Sequence, residues 1–205
     1  MSVTVSRLGV TLGGRRVLDG VDFECARGVV ALRGENGSGK TTLLNALAGL
    51  TPYDGEVFLG GRSLERDRTG ALGATGWVAE RSDAPEAMTA RELVELVAAL
   101  RGAPRPDAET IDRFGLRGVY DVRRDAVSLG QRRRADLLAA FVGAPVVLLL
   151  DEPTNGLDAD TVRWLTERLR AHADSGGLAL VATHDDRFIE RCVDRTLRLN
   201  GGRIA

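Results

Sequence analysis

"GVVALRGENGSGKTTLLNALAGL", Gly28 to Leu50, decides how the rest of the chain is read. "GVVALRG" is a short apolar run of strand character ending in Gly34. "SGKTTLLNALAGL" has helical apolar spacing and offers Leu43, Leu44, Leu47 and Leu50 to a core. Between them "GENGSGKT", Gly34 to Thr41, fits GxxxxGK[ST] in full, with the required strand before it and helix after it. A bare glycine-rich turn without a ligand is the alternative, and the strand–loop–helix context argues against it.

The chemistry of such a loop follows from its geometry. Glycines let successive backbone N–H groups turn inward around a phosphate, and the following helix adds its positive end. Asn36, Gly37, Ser38, Gly39 and Thr42 are therefore candidate nucleotide contacts. Lys40 reaches β- and γ-phosphates, and the Thr41 hydroxyl ligates Mg²⁺. The loop alone does not choose between kinase, GTPase, motor and ATPase. "VVLLLDEPTNGLD", Val146 to Asp158, narrows the choice. Its apolar strand delivers Asp151 and Glu152 at the carboxyl end, where open α/β sheets bind ligands. Asp151 is the natural Mg²⁺ partner, and Glu152 can polarise an attacking water.

Working outward, "SVTVSRLGV", "VLDGVDFEC", "DGEVFLGG" and "TGWVAE" read as strands, so the first third is β-rich. From residue 80 the character changes. "TARELVELVAALRG" is an amphipathic helix with Thr89 as N-cap and Glu92 three residues on, the capping-box spacing. "DAETIDRFGL" is a shorter helix. "ADTVRWLTERLRAHADSGG" is a helix stopped by paired glycines, "LALVATHD" a buried strand, and "RTLRLNGGRIA" a terminal hairpin after a last helix. His172, on a charged helix, reads as exposed. The alternation predicts an α/β fold: a P-loop NTPase core with a mostly parallel sheet, an N-terminal antiparallel β subdomain and an inserted helical lobe. The expected division is a single domain, with residues 1–79 and 144–205 as the core and 80–143 as the helical subdomain.

Composition limits the function classes. With 28 basic and 29 acidic residues the formal net charge is -1, so the basic excess of a dedicated nucleic-acid binder is absent. Hydrophobic residues at 43% support a sizeable core. Cys25 and Cys192 have no CxxC spacing, which gives no metal or redox signature and fits a reducing compartment. The N-terminus shows no signal-peptide pattern. The longest strongly apolar run, "APVVLLL", is too short to span a bilayer.

Taken in order, "GENGSGKTT", "VSLGQRRR", "VVLLLDEP", "NGLD" and "VATHD" resemble the Walker A, signature, Walker B, D-loop and switch segments of ATP-binding cassette (ABC) nucleotide-binding domains. The resemblance is collinear over nearly the whole chain. It implies a head-to-tail dimer with a second nucleotide-binding domain, ATP lying between one copy's Walker A loop and the other's signature. It implies ATP and Mg²⁺ as cofactors, with Lys40 on phosphate and Thr41 and Asp151 on the metal. Glu152 looks like the general base. His184 looks like the γ-phosphate contact linked to Glu152, and Asp158 like the D-loop aspartate that communicates across the dimer. Ser128, Leu129, Gly130 and Gln131 stand in the signature, opening a helix toward the partner's ATP. Most of the arginines after them read as solvated or interfacial.

Three elements depart from the family pattern. The signature carries Val127 and Leu129 where the family has Leu and Gly. Glu80 stands at the Q-loop glutamine; a carboxylate there can ligate Mg²⁺, and its added charge needs an offset from the metal or Arg81. Leu12 replaces the aromatic that stacks on adenine, which loosens base selectivity.

The implied function is an ATP-hydrolysing subunit that energises a membrane transporter of exporter type. Its permease would be a separate integral-membrane chain, with this subunit cytoplasmic and peripheral on the inner face of the membrane. The small haem-exporter cassettes are one candidate kind of relative. Two alternatives stand beside it. One is a soluble ABC ATPase acting on nucleic acid or ribosomes, which would normally carry tandem cassettes or a coiled-coil insertion. The other is a weakly hydrolytic partner in a heterodimer.

Overall fold

The computed structural model describes residues 2–204 of the 205. Two sheets frame it. The first is antiparallel, in the order β2-β1-β4-β5, from β1 (Val3–Leu12), β2 (Arg15–Cys25), β4 (Asp54–Leu59) and β5 (Arg62–Ser63). The second runs β10-β9-β3-β8-β7-β6. It comprises β3 (Gly28–Arg33), β6 (Thr75–Val78), β7 (Val147–Asp151), β8 (Leu178–Ala182), β9 (Arg195–Asn200) and β10 (Arg203–Ile204). Its five strands from β9 to β6 are parallel, and β10 closes the edge as an antiparallel hairpin with β9. The expected α/β class, antiparallel subdomain and terminal hairpin are therefore all present.

β7 and β8 have every residue buried, as strands covered on both faces must. One core layer lies between the two sheets around α1 (Lys40–Leu47), with Leu43, Leu44 and Leu47 fully enclosed. Leu50, read from the sequence as a fourth core leucine, is instead 61% exposed. α1 ends at Leu47, so the spacing that would turn Leu50 inward stops one turn short. A short helix α2 (Arg68–Gly73), capped by Asp67, was not legible in the sequence.

The other core layer covers the opposite face of the parallel sheet. It gathers α3 (Ala90–Arg101), α4 (Ala108–Arg113), α5 (Leu129–Phe141), α6 (Ala159–Asp174) and α7 (Asp186–Cys192). α3 starts with the expected capping box: Glu92 N donates to Thr89 Oγ1 at 3.1 Å, and Thr89 N donates to Glu92 Oε2 at 2.8 Å. Cys25 and Cys192 are both buried free thiols, and burial pushes the Cys192 thiol up to about 12. His172 is half-buried rather than exposed. Its ring lies 3.3 Å from the Leu178 carbonyl and edge-on to Phe141, and burial lowers its pKa. Among the described residues no helix is long and apolar enough to cross a membrane.

Candidate nucleotide site

Strand order creates the site. β3, β8, β7 and β6 are neighbours and run parallel, so their carboxyl ends release four loops along one sheet edge. They deliver the 34–39 loop, His184, the Asp151–Glu152 pair and Glu80. Together they line a cavity of about 540 Å³. The loop and first helical turn contribute Asn36, Gly37, Gly39, Lys40, Thr41 and Thr42. The other strand ends contribute Glu80, Asp151, Glu152 and His184. Val17 and Asn155 complete the lining and were not singled out from the sequence. Asn155 could have been found as the polar residue three after Glu152; Val17 sits in an ordinary strand alternation that carries no signal.

The loop is built to approach an anion. Gly39 sits at φ 106°, and a Cβ there would lie 2.8 Å from Leu18, so both backbone and packing exclude a side chain. α1 has no side-chain cap and no acidic residue in its first turn, leaving its positive end uncompensated. Lys40 is buried, and its ammonium donates to the Gly34 and Glu35 carbonyls at 2.8 and 3.1 Å. That folds the charge back over its own loop. The Ser38 hydroxyl is buried without a hydrogen-bond partner.

The carboxylates sit opposite. Asp151 is 2% exposed, and its Oδ2 has no partner within the protein. Burial raises its pKa above the usual carboxylate range; a hydrogen bond from Thr41 opposes this, Glu80 and Glu152 add to it, and Arg133 opposes it. An orphaned, buried carboxylate oxygen beside a threonine hydroxyl is a hard oxygen donor set of the kind Mg²⁺ prefers. Among the described residues no three His, Cys, Asp or Glu side chains gather as a metal cluster. A magnesium ion here would therefore take most of its other ligands from phosphate oxygens and water.

Glu152 adopts φ 46°, the left-handed region that is rare for a residue with a side chain. Its N–H donates to the Ala182 carbonyl at 2.8 Å, tying it to β8. Its carboxylate lies 3.6 Å from His184 Nε2 and accepts from the His184 backbone N–H at 3.4 Å. A carboxylate and an imidazole thus meet at the mouth of a phosphate-shaped loop, an arrangement suited to orienting water against a phosphoryl group.

The remaining predicted residues stand outside the cavity lining. Leu12 is exposed at the end of β1. Ser128 is the N-cap of α5: its Oγ accepts from Gln131 N at 3.2 Å, and its own N–H donates to Gln131 Oε1 at 2.9 Å. The Gln131 side chain is thus engaged in closing the helix start. Gly130 approaches so closely that a Cβ there would lie 2.8 Å from the Gly156 carbonyl. Leu129 is 69% exposed and packs its inner edge on Gly156. Asp158 caps α6 through Thr161 N at 2.8 Å and lies 3.5 Å from Arg134.

Two findings concern charge. Arg133 is the exception in the arginine run, at 4% exposed. The cation whose field reaches Glu80 is Arg133, not only the exposed Arg81 next to it.

A strand–loop–helix phosphate cradle facing a buried aspartate defines a P-loop nucleotide-binding protein. The sequence matches the ABC transporter family over residues 18–155. It is 36% identical over 174 residues to the cytochrome c biogenesis ATP-binding export protein CcmA of Pseudomonas fluorescens, covering 83% of this chain and 82% of that one. It is 33% identical to the putative hemin import ATP-binding protein HrtA of Staphylococcus haemolyticus, covering 92% and 90%. Among solved structures, an ATP-binding subunit of an ABC transporter superposes with a TM-score of 0.92 at 26% identity, covering 100% of this chain and 88% of that one. The chain belongs to the ABC transporter family, as one of its ATP-binding subunits, and is an ATPase.

Proposed function

We propose that this chain powers an exporter-type transporter by closing on ATP with a second nucleotide-binding domain and reopening after hydrolysis. The observation that carries this is the meeting of the P-loop, Asp151, Glu152 and His184 in one cavity, while the Ser128 helix start faces elsewhere. A helix start with no acidic residue in its first turn suits a phosphate, and in this reading another subunit's ATP supplies it. In this reading Lys40 and the amides of residues 36–42 hold the triphosphate. Thr41, Asp151 and the outlying Glu80 hold Mg²⁺, which neutralises phosphate charge when bound. Glu152 orients and deprotonates the attacking water, and His184 fixes Glu152 against the γ-phosphate. Ser128, Leu129, Gly130 and Gln131 close the partner's site, and Asp158 relays between the two. Leu12 lies where a base could rest on β1, with Val17 nearer the loop.

The permease would dock beside Glu80. A groove of about 430 Å³ lies there between core and helical lobe, lined by Leu50, Trp77, Met88, Leu93 and Leu96. Leu50 and Leu96 are 61% and 49% exposed, apolar surface that a coupling helix would cover. Docking there places the subunit on the inner face of the cell membrane. Export follows the name carried by the CcmA relatives.

The test is Glu152→Gln with Mg²⁺ and ATP. The variant should retain ATP without hydrolysing it and run as a dimer in size-exclusion chromatography with light scattering. A variant that hydrolyses at the parental rate, or stays monomeric with ATP bound, would refute the proposal. A neighbouring reading frame with about six apolar spans would identify the permease.

A further inference from the structure

Arg133 sits in the first turns of α5, buried among backbone rather than beside a carboxylate. Its Nη1 donates to the Ala79 carbonyl and, more distantly, to that of Glu80 at 3.5 Å. Its Nη2 donates to the carbonyls of Asp151, at 2.5 Å, and Glu152. Its Nε lies 3.4 Å from the Pro153 carbonyl. None of the ion pairs among the described residues includes it; burial lowers its pKa, and the charges of Asp136, Asp151, Glu152 and Glu80 oppose that.

This geometry has two consequences. The Glu152 peptide is held from both sides, by Ala182 through its N–H and by Arg133 through its carbonyl, in a backbone conformation that costs energy. Such a conformation persists only when the surroundings over-determine it. In addition, three acidic side chains crowd the cavity, and Arg133 is a buried cation whose field reaches all three. A lysine cannot replace it: one ammonium lacks the planar fork that spans carbonyls of two separate segments.

We propose that Arg133 is a positioning residue for ATP hydrolysis, pinning the Glu152 peptide so that its carboxylate lines the cavity in reach of His184. The inference rests on the role proposed for Glu152. Arg133 does not line the cavity and acts through the backbone it holds.

The experiment compares Arg133→Lys, Arg133→Gln, Glu152→Gln and the Arg133→Lys/Glu152→Gln double variant as purified full-length chains. Steady-state ATPase gives kcat and KM, and equilibrium titration gives ATP affinity. Both Arg133 variants should lose about 10²-fold in kcat, the scale of a displaced catalytic group, with ATP affinity unchanged in Arg133→Lys, which keeps the charge. The double variant should lose no more than Glu152→Gln alone, because residues that act as a unit are not additive. A parental kcat in Arg133→Lys, or an additive loss in the double variant, overturns the inference. So does failure of Arg133→Lys to fold, which would make Arg133 a scaffold residue. If Glu152→Gln itself hydrolyses normally, the reading of Glu152 fails. If only Arg133→Lys does, that reading stands and the inference about Arg133 falls.

Discussion

The left-handed Glu152 sets activity against stability, and substituting it separates the two. A residue with a Cβ in this region loses about 1–2 kcal/mol relative to the right-handed region. Asparagine tolerates it through local hydrogen bonding; glutamine does not. Glu152→Gln and Glu152→Asn both remove a charge whose field, with that of Glu80, helps to raise the pKa of Asp151. That gain is common to the two variants and cancels between them. Asparagine also lacks one methylene of a side chain that is 13% exposed, which costs at most about 0.8 kcal/mol. The remaining difference favours Glu152→Asn over Glu152→Gln by about 0.5–1 kcal/mol. For a chain of this size that is roughly 1–4 °C in melting temperature. Nucleotide-free thermal unfolding by circular dichroism or calorimetry measures it. ATPase assays of the same samples should show both variants reduced about 10²–10⁴-fold, the usual worth of a general base. An Asn variant that melts at or below the Gln variant would refute the claim that the backbone at Glu152 is strained.

Lys40→Ala should weaken ATP binding by about 1.5–3 kcal/mol, roughly 10- to 150-fold, as for a lost charged hydrogen bond. Its melting temperature should fall, because the ammonium's bonds to the Gly34 and Glu35 carbonyls are lost and relief of the α1 dipole offsets only part of that; isothermal titration and unfolding check the two halves. Glu80→Gln should lower the Mg²⁺ affinity of the ATP-bound protein and tighten metal-free ATP binding, since one negative charge leaves the cavity; unchanged Mg²⁺ and ATP titrations would remove Glu80 from the site. For His172, burial sets the folded pKa below the unfolded value of about 6.5. Between those values the unfolded chain binds more protons, so stability falls as pH drops through that window and is unaffected above it. His172→Leu should abolish that part of the acid loss; an identical pH–stability slope in both proteins would refute it.

The legible parts of the chain were those where local pattern and global fold agree. "VVLLLDEP" could only be a buried strand, because five apolar residues without alternation need cover on both faces, and β7 has it. The Thr89 and Ser128 helix starts were readable because a capping box is local chemistry. Leu50 and His172 were misread because burial at a helix end depends on what packs there. α1 stops before Leu50 turns inward, and the chain at Gly177 and Leu178 folds back over His172. Likewise, the P-loop pattern named its own residues, but Val17 reaches the cavity only because β2 crosses beside Gly39.

"QRRR" shows most sharply where reading stops and how it could have gone further. Successive helical residues point about 100° apart, so three adjacent arginines cannot share one fate. Arg132 stays partly exposed toward Glu86, 3.9 Å away. Arg134 turns toward Asp158 at the start of α6. Arg133 lies four residues before Leu137 and seven before Ala140, both buried, and so belongs to the inward stripe of α5. That spacing was visible in the sequence. A charged residue on an apolar stripe must find hydrogen-bond partners or unfold the helix packing. The partners here are backbone carbonyls, which no side-chain motif advertises. Their location follows from strand order alone: β6 and β7 are neighbours, so a single guanidinium beneath their ends meets Ala79 and Glu152 together. The conformation of the proposed catalytic carboxylate is thus set from the signature helix, through contacts that appear only once the sheet is assembled.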